Sequence, residues 1–141
     1  MTPFILEILT PERPFYIGEC VSLMVPISDG MLGIMANHSP LTVAIRDGEL
    51  TFKLPDGSTR ICAVTRGMLD ISHSDVRILC ESALAPEEID EAAERRAMQE
   101  AQLAMQEKLG RKDYMLSQMA FARAFNNLKV KQKSALENNG L

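Results

Sequence analysis

Short apolar runs broken by turn signals fill the first half of the chain. In the second half apolar positions recur at three- and four-residue steps instead. Phe4 to Leu9 reads as a strand closed by Thr10-Pro11. Phe15 to Val25 holds one or two more, with Gly18 expected as a bend or bulge and Pro26 as the stop. Within that run Val21, Leu23 and Val25 alternate with Ser22 and Met24, the period of a half-buried strand. Asp29-Gly30 marks a turn, and Met31 to Met35 and Leu41 to Ile45 are further runs. Glu49 to Leu54 and Thr59 to Val64 flank Pro55-Asp56-Gly57-Ser58, the strongest hairpin signal in the chain. Met68 to Ile71 and Val76 to Cys80 follow, parted by His73-Ser74-Asp75. Roughly eight to ten short strands at this spacing predict an antiparallel β-sandwich or barrel of about ten strands over residues 1–85. No helical stretch alternates with them, so parallel α/β units are not expected.

Residues 86–141 predict an antiparallel two-helix hairpin. Pro86 and the acids Glu87, Glu88, Asp90 and Glu91 suit a helix start, by fixed φ and by the macrodipole. The first helix is expected to reach about Leu109, with Gly110 in the left-handed position after it and Lys108, Arg111 and Lys112 as a cationic cluster at that end. Asp113 is placed to cap a second helix running to about Leu136. The expected seam is narrow: Ile89, Ala93, Ala97, Ala101 and Ala104 against Tyr114, Ser117, Phe121, Ala124 and Leu128. An Ala methyl buries on the order of 0.8 kcal/mol, against roughly 1.5–3 for a buried Leu or Phe. Such a hairpin should dock on a neighbour by only a few kcal/mol, which suits an element with two positions as well as one permanently docked. Met98, Met105, Met115 and Met119 read as core more readily than as an adaptable surface.

Composition narrows the function classes. Fifteen basic against nineteen acidic residues give a net charge of −4, and the aromatics are five Phe, two Tyr and no Trp. Neither the electrostatic footprint of a nucleic-acid binder nor a base-stacking platform is present. No apolar run approaches the ~20 residues of a membrane span. The opening residues carry no secretory or transit pattern, so the expected compartment is the cytoplasm, with no direct membrane insertion. Cys20, Cys62 and Cys80 are odd in number and widely spaced, fitting buried small hydrophobes in a reducing compartment.

Candidate chemistry is sparse. There is no phosphate-binding glycine loop, no H-E-x-x-H and no Cys-x-x-Cys, so neither a cofactor nor a metal is expected. His38 and His73 sit in turns, and nothing in the spacing pairs either with Cys62 or Cys80 as a nucleophile. No carboxylate pair is isolated in an apolar setting. An enzyme is therefore not expected. Arg123, Lys129, Lys131 and Lys133 make the last stretch basic against the single acid Glu137. A solvated face and a docking surface for an acidic partner both fit that pattern.

Leu9-Thr10-Pro11, the segment GMLGIMANHSPL from Gly30 to Leu41, Asp47-Gly48-Glu49-Leu50, and Glu88-Ile89-Asp90 before an Ala-rich helix occur in an order that resembles the epsilon subunits of rotary ATP synthases. The likeness covers the whole chain. It implies a sandwich seated against a gamma subunit and the ring of c subunits, helping to couple ring rotation to the catalytic sector. It further implies a c-ring-facing loop holding Gly30, Met31, Leu32, Gly33, Ile34, Asn37, His38 and Pro40. The hairpin would be a regulator that permits turnover when folded and inhibits ATP hydrolysis when extended. In the extended form Arg123, Lys129, Lys131 and Lys133 would meet acidic residues of a beta subunit. Some bacterial members bind ATP through Ile/Leu-Asp-x-x-Arg-Ala. Here Ile89-Asp90 match, but Ala93 and Glu94 replace the last two, with Arg95 and Arg96 nearby. The isolated chain is expected to bind ATP weakly or not at all. The implied place is peripheral, on the cytoplasmic face of the cell membrane, in a proton- or sodium-translocating complex. A stand-alone sandwich adaptor that recruits a helical partner through the hairpin is the competing expectation.

Overall fold

The structure, a computed structural model, describes residues 2–107 and 110–138. It divides into two compact units, Met1–Ala85 and Pro86–Leu141.

The first unit is a sandwich of ten strands: β1 Phe4–Leu9, β2 Pro14–Cys20, β3 Ser22–Ile27, β4 Gly30–Ile34, β5 Leu41–Ile45, β6 Gly48–Lys53, β7 Thr59–Val64, β8 Gly67–Ser72, β9 Asp75–Cys80 and β10 Ala83–Leu84. One sheet runs β2-β1-β9-β8-β5 and the other β10-β7-β6-β3-β4. All pairings among the described strands are antiparallel except β1 with β9, which run parallel from Ile5 opposite Asp75 to Leu9 opposite Leu79. The two strands are far apart in sequence, so no short crossover constrains their relative direction.

The period of two sets the core. In β9, Val76, Ile78 and Cys80 are buried while Arg77 and Leu79 face out. Leu6 and Ile8 of β1, Leu69 and Ile71 of β8, and Ile45 of β5 meet Leu23 and Val25 of β3, Leu50 and Phe52 of β6, and Cys62 and Val64 of β7 in one cluster. Each fully buried large side chain contributes about 1.5–3 kcal/mol.

Two sequence expectations fail within these strands. Pro26 does not stop β3, because the pairing of β3 with β6 ends at Met24 opposite Thr51, while Pro26 pairs with Met31 on the β4 side. On the far side the Pro26 carbonyl accepts the Arg46 N–H at 2.9 Å, but no ladder continues there, so the missing Pro26 N–H leaves no ladder bond unmade. Gly18 is no bulge either. It pairs in register with Leu6, and the register shift lies between Ile8 and Leu9. A side chain at Gly18 would come 2.9 Å from the Tyr16 hydroxyl, so the glycine makes room for the folded-back Tyr16 ring.

The second unit opens with a single 3-10 turn, Pro86–Glu88, and continues as α1 Glu91–Met105 and α2 Arg111–Asn138. Pro86 thus belongs to the approach and not to α1 itself. Asp90, in extended conformation, caps α1 by accepting the Ala93 N–H at 3.1 Å. Helix α1 ends earlier than the expected Leu109, and both Leu109 and Lys108 of the anticipated cationic cluster lie outside the described residues. Gly110 leads into α2 and is not the C-cap of α1, which is Gln106. The Gly110 carbonyl accepts the Tyr114 N–H at 3.0 Å, which places it at the start of α2, ahead of Asp113 in the first turn. The seam is also shorter than expected. Ala101, Ala124 and Leu128 are buried, whereas Ala97, Tyr114, Met115 and Met119 are exposed.

Candidate functional site

The segment from Gly30 to Pro40 is half strand and half loop. Gly30 has φ 124°, a left-handed backbone that glycine adopts without cost, and it turns β3 into β4. Gly30, Met31, Leu32, Gly33 and Ile34 then form β4, an edge strand, and so are not part of a loop. The alternation sorts them. Met31 is 51% exposed, Leu32 packs on the core, and Ile34 is 1% exposed and belongs to the core. Ile34 therefore supports the strand and cannot itself touch a partner. Gly33 lies beside Met24, whose Sδ sits 3.1 Å from where a side chain would begin. Met24, Met31 and Met35 are all exposed. Asn37, with φ 65°, reverses the chain ahead of His38, whose Nδ1–H donates to the Ser39 carbonyl at 2.8 Å. Pro40 ends the loop, exposed, before β5.

Sequence reasoning did not anticipate the outer face of the other sheet. Register lines up two rows across β1, β9, β8 and β5. The first is polar: Arg77 Nε donates to Glu7 Oε2 at 2.7 Å, and Thr42 Oγ1 donates to Asp70 Oδ1 at 2.8 Å. Glu7 in turn holds the Arg77 guanidinium above its ordinary pKa. The second row is apolar: Leu9, Leu79, Met68 and Ala44. Leu79 and Met68 are exposed, and a groove of about 420 Å³ opens beside them, lined by Leu9, Pro11, Arg66, Leu79 and Cys80 among others. The signal was available, since Met68 and Leu79 fall at the outward positions of their strands. Only pairing shows that those positions are adjacent.

Residues of the nucleotide-like motif are occupied by their own helix. Ile89 is buried, Asp90 is the cap of α1, and Arg95 Nη2 pairs with Glu91 Oε1 at 2.6 Å one turn earlier. Arg96 is exposed. Arg123, Lys129, Lys131 and Lys133 of α2 do not form one face. Arg123, Lys129 and Lys133 are exposed, but Lys131 lies 200° round the helix from Lys129. It is half-buried, and its Nζ donates to the Pro86 carbonyl at 2.9 Å. Position in sequence suggested one cationic surface, but the helical period divides it.

The cysteines are free and buried. Burial raises the Cys20 thiol and pushes Cys80 up to about 11, so both are neutral core groups at neutral pH. Among the described residues no three His, Cys, Asp or Glu gather as metal ligands, and no helix is long and apolar enough to cross a membrane.

Residues 3–86 match a family described as the ATP synthase delta/epsilon chain beta-sandwich domain. The chain belongs to this family. As an epsilon-family chain it is 35% identical over 137 residues to the ATP synthase epsilon chain of Caldicellulosiruptor bescii, spanning 97% of this chain and 99% of that one. It is 38% identical over 128 residues to the epsilon chain of Ruminiclostridium cellulolyticum, covering 91% and 95%. A chain in the cryo-EM structure of the Euglena gracilis mitochondrial ATP synthase has the same fold, with a TM-score of 0.78 at 17% identity over 96% of this chain and 82% of that one. The likeness to epsilon chains thus runs through both the sandwich and the helices.

Proposed function

We propose that the chain is a non-catalytic subunit of the central stalk of an ion-translocating ATP synthase. Full-length similarity to epsilon chains carries the reading, because it spans both units in the same order. Residues 1–85 would seat against a gamma subunit and the c-ring and help couple ring rotation to the catalytic sector. The β4 edge and its loop, through Met31, Gly33, Asn37, His38 and Pro40, would face the ring. Residues 86–141 would restrain ATP hydrolysis when the helices extend, with Arg123, Lys129 and Lys133, and Lys131 once it leaves the Pro86 carbonyl, meeting acidic residues of a beta subunit. The complex would hold the chain peripherally, on the cytoplasmic face of the membrane.

The chemistry of the surface supports a docking role. The apolar row Leu9, Leu79, Met68 and Ala44 beside a satisfied polar row suits a protein contact that excludes water at its centre. Asp90 and Arg95 of the nucleotide-like motif are taken up by α1 itself. Mixing the purified chain with an isolated gamma subunit tests this reading. Co-elution as a stable complex is expected, and Met68→Glu together with Leu79→Glu should weaken it at least about tenfold by placing unpaired charges in the apolar row. Separate elution at micromolar concentration would overturn the assignment.

A further inference from the structure

Two polar contacts tie α2 to α1 and to the turn before it, and both come from one side of α2. Asn127 and Lys131 are four residues apart and so project from the same side of the helix. Asn127 is 6% exposed, and its Nδ2 donates to Glu94 Oε1 of α1 at 3.1 Å. Lys131 Nζ reaches past α1 to the Pro86 carbonyl, an oxygen that also accepts the Ile89 N–H at 3.2 Å. Each of these bonds has one ionised partner, which makes it stronger than a bond between neutral groups. Among the described residues the buried apolar side chains of this unit are few and mostly small or medium in size: Ile89, Ala101, Ala124, Leu128 and Val130. Toward the connection between the helices, Leu103, Met115, Leu116 and Met119 are exposed. Burial and the two polar bonds thus coincide at the end away from the connection, where Ile89, Leu128 and Val130 also lie.

We propose that the Asn127–Glu94 and Lys131–Pro86 contacts form a latch that holds the hairpin shut, and that Lys131 cannot serve this latch and an acidic partner at once. An ammonium that turns to a carboxylate leaves the Pro86 carbonyl. A partner able to bind Lys131 only in the open form must then shift the equilibrium toward that form. This second part rests on the reading that the extended helices inhibit hydrolysis. The first part stands on the hairpin alone.

Hydrogen exchange of the α1 amides in the full chain tests the latch. Asn127→Ala and Lys131→Met should each speed exchange over Glu91–Met105 by about tenfold, while the sandwich amides stay unchanged and provide the internal standard. Lys131→Arg, which keeps a charged donor, should restore protection. Lys129→Met, at an exposed position, should have no effect. Exchange unchanged in both latch variants, or accelerated equally by Lys129→Met, overturns the proposal. A second measurement separates the two readings. In the assembled complex Asn127→Ala keeps every basic residue of α2, so a loosened hairpin should deepen inhibition of ATP hydrolysis severalfold. Faster exchange with unchanged hydrolysis upholds the latch and refutes the inhibitory role.

Discussion

A side chain added at Gly67 would start 1.9 Å from the Leu79 carbonyl oxygen, a backbone atom that cannot swing away. Gly67 lets β8 begin against the end of β9, opposite Cys80. The neighbouring Thr65 secures that corner. Its Oγ1 accepts the Ser82 N–H at 2.8 Å, and its own N–H donates to the Ser82 carbonyl at 3.0 Å. Gly67→Ala must move one strand, and the cost of such overpacking is about 1–3 kcal/mol or more. Denaturant titration should show that loss at an unchanged slope, and a midpoint equal to the parent's would show that the corner gives way freely. Cys80 supplies a test by pH. Its folded-state pKa of about 11 lies above the ordinary 9.0. The unfolded thiol therefore ionises first, so this contribution to stability is full below about pH 9 and disappears by about pH 11. Replacing Cys80 with Val should flatten the fall of stability over that interval relative to the parent. Parallel curves would mean that the thiol is not held neutral by burial.

At the scale of elements, the strands were legible because each carries its own period of two. β1, β5 and β7 begin and end where their apolar runs do. Gly57, with φ 92°, turns β6 into β7 where the Pro-Asp-Gly-Ser signal pointed. What could not be read was pairing. Pro26 is tolerated because of which strands flank it, and Gly18 because of where a tyrosine two residues away folds. β10 has only two residues, too few to show a period. The helices were legible in kind but not in their ends. Gly110 belongs to the start of α2, because no feature of a lone glycine says on which side its helix lies. Surface roles are the least legible in the sequence. Four basic residues close in sequence looked like one cationic face, yet Lys131 turns inward and works with Asn127. Five of the residues expected in one loop are a strand, and the core claims Ile34.

Taken whole, the molecule separates two tasks. The sandwich buries its three thiols and presents apolar side chains at outward strand positions, which suits a bracket for a partner. The helical unit buries few apolar side chains, with ion-assisted hydrogen bonds beside them, which suits an element whose conformation a partner can alter. The proposed division of labour thus follows from how differently the two units are held together. Removing residues 86–141 from the subunit within an assembled ATP synthase tests that division most directly, since residues 1–85 form a compact unit. Complex assembly and ATP synthesis should persist while the rate of ATP hydrolysis rises severalfold. A truncated complex that hydrolyses ATP at the parent rate would contradict the account.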